Sequence, residues 1–369
     1  MDILYIMNVD WNWIKQRPHF IAELLSQKAN VHIVYQYRYQ RRGLQQRPNE
    51  NLDAEPIFVI PRGDRYKITL KINKLIKKKW IHKKINSTNA NILYLTFPDQ
   101  IDVVPEEYRG LIVYDCMDNH PEFVVNNTTQ RKQLVLQEKR LIERANILLV
   151  TSRNLIEALK ARYGEEIEKK VHLIRNGFGG TIIPINETKQ VEKNQLYTFA
   201  YFGTISSWFN FDYILQSLTD FQDIQYELYG PVAGVQIPEH ERIHYHGTIE
   251  HDKLLENVKN ADCLIMPFVV NDIIKAVDPV KLYEYINFNK NILVSEYDEI
   301  KRFSPFVHFY NSYSDFKKEI CSLKQNCEIK YNNLEREEFL KKNSWNQRVE
   351  AIANIIDEGE RKTHENSTL

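Results

Sequence analysis

The chain has 369 residues, 43% of them hydrophobic and 27% charged, with 49 basic against 49 acidic residues. That length suggests two domains, at most three, with cores large enough to need no staples. The zero balance excludes a strongly cationic nucleic-acid binder and an acidic disordered chain. Four cysteines, at 116, 263, 321 and 327, include no CxxC pair. They argue against a disulfide framework and a structural zinc site, and for a reducing compartment. Residues 1–184 carry 29 basic and 20 acidic residues, and the remainder 20 and 29. Chance plus one local cluster explains that asymmetry as readily as a charged partner does.

Asp2 opens the chain and a strand-like run, 3–7, follows at once, so no signal peptide is expected. No stretch approaches 18 apolar residues, so no membrane span is expected either, and the cysteine usage makes the setting read as cytoplasmic. Further strands are expected at 31–37, 57–60, 91–97, 111–115, 146–151 and 171–175, with helices at 18–29, 67–85, 128–145 and 152–163. Pro18 suits a first helical turn and Ser152 an N-cap. Residues 177–195, with three glycines, a proline and a polar tail, read as a linker. The alternation then restarts, with strands at 198–202, 224–229, 243–246, 261–268 and 291–295 and helices at 210–219, 251–260, 279–288, 312–324 and 344–358. The fold class is therefore α/β, two tandem Rossmann-like doubly wound domains whose strand ends line an interdomain cleft. The expected boundaries are 1–180, a linker core at 181–195, 196–345, and a last helix in 346–369 crossing back to the first domain.

No GxGxxG, P-loop, HExxH or GxSxG motif is present, which lowers the case for a nicotinamide enzyme or an ATPase. The densest cluster is 278–285 (DPVKLYEY). Pro279 should open a helix whose free amides, with Val280 and Leu282 in its first turn, favour an anion. Lys281 reaches a phosphate oxygen from there, and Glu284 on the same face accepts from ribose hydroxyls. An ordinary helix with a solvated Lys–Glu pair reads equally well from spacing alone. After strand 198–202, the turn Gly203, Thr204, Ser206 offers amides and hydroxyls to a phosphate, or is simply a turn.

In the first half, residues 10–19 (DWNWIKQRPH) hold Trp11 and Trp13, whose flat faces suit sugar rings, and Arg17 and His19, suited to phosphate or hydroxyl. Tryptophans packed over a domain edge are the alternative. After strand 111–115, Asp118 and His120 stand where acid/base or sugar-hydroxyl chemistry belongs, or cap a turn. Residues 62–84 hold ten Lys+Arg and one Asp. Ile68, Ile72, Leu75, Ile76 and Trp80 recur there at helical spacing, a basic amphipathic helix fit for an anionic membrane surface or for covering the core.

These clusters stand in the order and spacing of a known family. The chain resembles bacterial GT-B glycosyltransferases of family 4, retaining enzymes that use nucleotide sugars, over nearly its whole length. Residues 171–178 (VHLIRNGF) are similar to the family's PNGVD segment, 201–206 (YFGTIS) to its YVGRLS turn, and 246–247 with 261–267 (ADCLIMP) to its GxV…ADVxVxPS stretch. Residues 279–285 resemble its PxKxxEYxA donor helix, and 343–346 (NSWN) its SW-initiated last helix. The opening 13–19 (WIKQRPH) resembles the subgroup that assembles teichuronic acid and other surface polysaccharides. The family's acidic pair is Glu-x7-Glu; Glu284 takes the second place, but the first is Ala276, with Asp278 nearby. Thr204 replaces the usual Arg of the turn, leaving Lys281 and Lys275 to supply charge.

The resemblance implies a glycosyltransferase moving a sugar from a nucleoside-diphosphate sugar (UDP, GDP or dTDP) to a hydroxyl acceptor, a lipid-linked or growing glycan. It implies no metal and no further cofactor. It also implies a sugar-contacting residue at the Asp118–His120 loop and acceptor contacts from Trp11, Trp13, Arg17 and His19. The expected place is the cytoplasm, at the inner face of the plasma membrane. A sugar-nucleotide epimerase with the same cleft, or an inactive nucleotide-sugar-binding subunit, are the alternatives; the first lacks a clear acid/base set, and Ala276 speaks for the second.

Overall fold

The computed structural model describes residues 1–37, 52–61, 66–124, 127–185, 196–249 and 253–367. The chain divides into two compact units. One joins Met1–Asn176 to Trp345–Leu369, and the other is Gly177–Ser344. The expected linker core, 181–195, lies outside the described residues from 186 on. Its first part is fastened within the second unit: Asn287 Nδ2 donates to the Thr181 carbonyl at 3.1 Å and Ile183 N–H to Asn287 Oδ1 at 3.0 Å.

In the first unit the strands are β1 Asp2–Met7, β2 Asn30–Gln36, β3 Ala54–Ile57, β4 Ile92–Leu95, β5 Leu111–Cys116, β6 Ile147–Val150 and β7 Val171–Leu173. They form one parallel sheet in the order β3-β2-β1-β4-β5-β6-β7. The chain winds outward from β1 in both directions, so the order reverses between β1 and β4. Helices α1 Arg17–Leu25, α2 Lys67–Thr88, α3 Thr128–Arg144 and α4 Arg153–Tyr163 connect the strands. Ser152 caps α4 as expected, its Oγ accepting from the Leu155 N–H at 3.0 Å. β3 falls earlier than the expected 57–60, because its partner β2 ends where Gln36 pairs with Ile57.

The second unit repeats the plan with β8 Tyr197–Phe202, β9 Ile224–Tyr229, β10 Ile243–Tyr245, β11 Cys263–Met266, β12 Asn291–Ser295 and β13 His308–Tyr310. They form a parallel sheet, β10-β9-β8-β11-β12-β13, reversing between β8 and β11. Its helices are α5 Phe211–Asp220, α6 Leu254–Val258, α7 Asp272–Lys275, α8 Val280–Asn287, α9 Tyr313–Gln325 and α10 Asn333–Lys342. The last helix, α11 Trp345–Ser367, returns to the first unit, where Val349, Ile352 and Ile356 join the core beside Ile3, Tyr94 and Leu149. Strands such as ILLV and CLIM are buried at every residue, as sheets covered on both faces demand.

Candidate functional site

In doubly wound sheets, ligands bind beyond the strands' carboxyl ends where the strand order reverses. In the second unit that point lies between β8 and β11, and α8 is docked across it. The Tyr285 hydroxyl donates to the Ile265 carbonyl of β11 at 3.1 Å and accepts from the Phe202 N–H of β8 at 3.4 Å. One turn earlier, Lys281 Nζ stands 5.6 Å from the centre of the Tyr201 ring and 5.9 Å from that of Phe268, one residue from each side of the reversal. Tyr201 is fixed by its hydroxyl, which donates to the Thr204 carbonyl at 2.8 Å. Among the described residues, Lys281 makes no hydrogen bond and no ion pair. Burial pulls its pKa below the ordinary lysine value, while nearby Glu284 pulls the other way. A half-buried ammonium packed between ring faces, with no hydrogen bond of its own, is suited to receive an anion.

The turn after β8 is shaped for that lysine. Gly203 has φ 134°, and a Cβ there would lie 1.8 Å from Lys281 Cε. Gly230, at the end of β9 with φ 133°, would push a Cβ to 2.1 Å from the Gly203 carbonyl oxygen. Only glycine satisfies both the backbone angle and the close approach.

The other expected donor residues divide. Glu284 is half-buried one turn after Lys281, and Val280 is half-buried at the helix start. Leu282 is wholly in the core and its N–H is taken by the Pro279 carbonyl at 3.2 Å, so it offers a ligand nothing. Pro279 is the N-cap, and the helix begins at Val280. Lys275 is exposed and paired with Asp272 at 3.1 Å. The Ser206 hydroxyl donates to the Ala233 carbonyl at 2.7 Å, a brace within the turn. Asp278, considered as a stand-in for the missing first acidic residue, is buried against Arg302. Arg302 also donates to the Tyr283 hydroxyl at 3.0 Å and lies 4.1 Å from the Phe303 ring centre. Asp278 thereby ties the entry to α8 to the segment after β12. Sequence reasoning missed Arg302, Tyr201, Phe268 and Gly230; of these only the Gly-Pro turn at 230–231 carries a local signal.

The corresponding place in the first unit is filled by its own side chains. Thr96 Oγ1 and Gln100 Nε2 both donate to the Ile6 carbonyl at the end of β1, at 3.0 and 3.1 Å. Gln100 Oε1 accepts from the Thr96 and Phe97 amides at 2.7 and 3.1 Å. Arg17 is buried, and its guanidinium grips Asp115 by three hydrogen bonds of 2.8 to 3.1 Å. Its remaining nitrogen donates to the Ile174 and Arg175 carbonyls at 2.9 and 3.2 Å and to Asn176 Oδ1 at 3.3 Å. Burial opposes its charge, and Asp115 more than restores it. Expected on the acceptor side, Arg17 is instead an internal clamp. His19 is buried too, stacked on Trp11 with ring centres 5.3 Å apart. Its Nδ1 accepts from the Gln16 N–H at 3.1 Å, and burial takes its pKa down to about 4. Trp11 is 4% exposed and belongs to the core, whereas Trp13 is half-buried.

The loop after β5 keeps two titratable groups in reserve. Burial raises the Asp118 carboxyl to about 6, with Arg17 pulling it down. Burial lowers His120 to about 4, so its ring is neutral at physiological pH. The two are linked by the His120 N–H, which donates to the Asp118 carbonyl at 2.8 Å. The His120 ring packs on Phe97 at 4.7 Å, and its buried Nε2 has no hydrogen-bond partner among the described residues. Leaving such a nitrogen unpaired costs about 1–3 kcal/mol, and a site that takes a hydroxyl would recover it. No group of three metal-ligating side chains occurs among the described residues.

Two parallel α/β sheets of this topology, with helices on both faces, form the fold of GT-B glycosyltransferases. Sucrose-phosphate synthase from Thermosynechococcus elongatus superposes with TM-score 0.68 at 12% identity, over 100% of both chains. The lipopolysaccharide outer core galactosyltransferase WaaB, in its apo form, gives 0.65 at 12% identity, over 97% of this chain and 99% of WaaB. HepE of Anabaena, solved in complex with UDP and glucose, gives 0.60 at 12% identity over 100% of both chains. Identities of this size establish the shared fold. No family model and no curated protein matches the sequence.

Proposed function

We propose that the protein is a glycosyltransferase that moves a sugar from a nucleoside-diphosphate sugar to a hydroxyl acceptor. The observation that carries this reading is Lys281, a half-buried cation at the reversal point of the second sheet that makes no hydrogen bond and no ion pair among the described residues. The diphosphate sits against Lys281, the first amides of α8 and the Gly203–Thr204 turn, and Glu284 accepts from the ribose. As the bond from the sugar's anomeric carbon to phosphate breaks, negative charge gathers on the leaving diphosphate. Lys281 and the helix amides stabilise it without rearranging, which is where such a site gains most of its rate. Positioning the acceptor hydroxyl supplies the remainder. Asp118 and His120 serve the hydroxyl side, with Trp13 on the acceptor wall. Retention of configuration, independence of a metal ion, family 4 membership and a lipid-linked glycan acceptor at the inner face of the plasma membrane complete the reading. The HepE complex with UDP and glucose supports a uridine diphosphate donor.

Incubation with a panel of UDP-, GDP- and dTDP-sugars and lipid-linked acceptors tests it. The expected result is free nucleoside diphosphate together with transferred sugar, abolished in Lys281→Ala. An epimerised sugar nucleotide, or binding without turnover for every donor and acceptor, overturns it.

A further inference from the structure

Helix α2 carries eight lysines and no carboxylate over Lys67–Thr88, and its two halves meet different surroundings. In the second half Ile81 and Ile85, one turn apart, are buried. Trp80, expected in the exposed stripe, is half-buried, with Lys84 Nζ 6.0 Å from its ring centre. In the first half Ile68, Ile72 and Leu75 share one face at helical spacing and are 74, 39 and 65% exposed. Phe58 and Ile60 are exposed as well, and the segment carrying them is pinned beside the helix by Asn73. Asn73 Oδ1 accepts from the Ile60 N–H at 2.8 Å, and its Nδ2 donates to the Ile60 carbonyl at 3.1 Å. Residues 62–65 of the expected basic segment lie outside the described residues.

Leu75 of this face also lines a groove of about 420 Å³ that holds the cations Lys71, Lys74, Lys78, Arg140 and Arg144 and the carboxylates Asp102 and Glu106. Asp102 organises it, accepting from Lys74 at 3.0 Å, Arg140 at 2.8 Å and Gln137 Nε2 at 2.8 Å. Asp102 thus fixes two cations, and the five cations of the lining outnumber Asp102 and Glu106. Arg144 is held by the Pro105 carbonyl at 2.9 Å.

We propose that this surface docks onto an anionic phospholipid bilayer. Ile68, Ile72 and Leu75 enter the headgroup layer, and the groove receives a phosphodiester headgroup. Lysines flanking an exposed apolar stripe match that partner in both charge and polarity. A second copy of this chain would set eight lysines against eight, and a soluble polyanion would leave the apolar face unused. No helix among the described residues is long and apolar enough to cross a membrane, so the attachment is peripheral. The inference does not rest on the transferase reading, since it uses none of that site's residues.

The test is co-sedimentation of the full chain with phosphatidylcholine vesicles and with vesicles that also contain phosphatidylglycerol, at low and high salt. Binding to the anionic vesicles alone, weakened by salt, is expected. Lys71→Ala with Lys78→Ala should weaken it about thirty-fold, taking each lysine's contribution from anionic surfaces. Ile68→Ser with Leu75→Ser should weaken it at constant charge. Both double variants change exposed side chains and should melt as the parent does. Equal binding to neutral and anionic vesicles, no binding to either, parent-like binding by both variants, or self-association in sedimentation velocity each overturns the proposal.

Discussion

The two sheets reverse their strand order in the same way, yet the two reversal points have opposite fates. In the first unit Thr96 and Gln100 close the gap between β1 and β4, and the nearby cation Arg17 is held by Asp115 and three further acceptors. In the second unit glycines hollow the gap between β8 and β11, and Lys281 stands there between two aromatic rings. One unit satisfies its own polar groups at that place and becomes rigid. The other leaves a cation without a hydrogen bond or ion pair among the described residues, at a cost in its own stability. A basic residue near a strand's carboxyl end is therefore no sign of a site until its partners are known.

The sharpest test of this contrast is Arg17→Ala. It leaves Asp115 buried and unpaired, so unfolding free energy should fall by about 3–5 kcal/mol in denaturant titration, while nucleotide affinity of the folded protein stays unchanged. Loss of nucleotide binding at parental stability would break the comparison. Lys281→Ala should do the reverse. Binding of the nucleoside diphosphate should weaken by about 1.5–3 kcal/mol, ten-fold or more by calorimetry, with no loss of melting temperature. Gly203→Ala should fall between them. The strained φ should cost about 1–3 kcal/mol of stability, and displacement of Lys281 should reduce nucleotide affinity as well.

Asp118 permits a test through pH. Its native carboxyl is raised to about 6, so the folded state holds a proton that the unfolded chain has released. Stability should therefore decline as pH rises from about 4 to 6. Asp118→Asn should flatten that part of the stability curve and remove the limb near pH 6 from the transfer rate. An unaltered pH–rate profile would leave the loop a structural one. The smallest effect belongs to Ser206→Ala, which loses one neutral hydrogen bond. About 1 kcal/mol of stability and no nucleotide affinity should go with it.

What sequence could convey follows from which forces are local. Alternating apolar runs and polar helices located β1, β5, β8, β9 and β12 and the doubly wound plan, since both depend on spacing alone. β13, three residues long, has no room for a period, and α10 buries only Arg336 and Leu340, too few for a stripe. The placement of Lys281 and Glu284 one turn apart at the start of α8 was legible, because a helix start and one-turn spacing are local facts. The fate of Arg17 was not, because its partner Asp115 lies 98 residues away. Nor could spacing tell that α2 would bury Ile81 and Ile85 and leave Ile68 and Leu75 in water.

The chain leaves the first unit at Asn176 and rejoins it at Trp345, and where it does so the Phe178 N–H donates to the Asn343 carbonyl at 2.8 Å. The second unit is thus an insertion whose two ends lie side by side, carried by one uninterrupted stretch of polypeptide. At ~5–20 residues per second, a ribosome completes α11 roughly 10–40 s after β7. Until then the surface of β5 and β6 that Gly359 meets, lined by Leu111 and Ile147, lacks its covering helix. The half of the protein that is synthesised first is completed last, so a chain truncated after residue 344 keeps every element of the second unit and lacks α11 of the first.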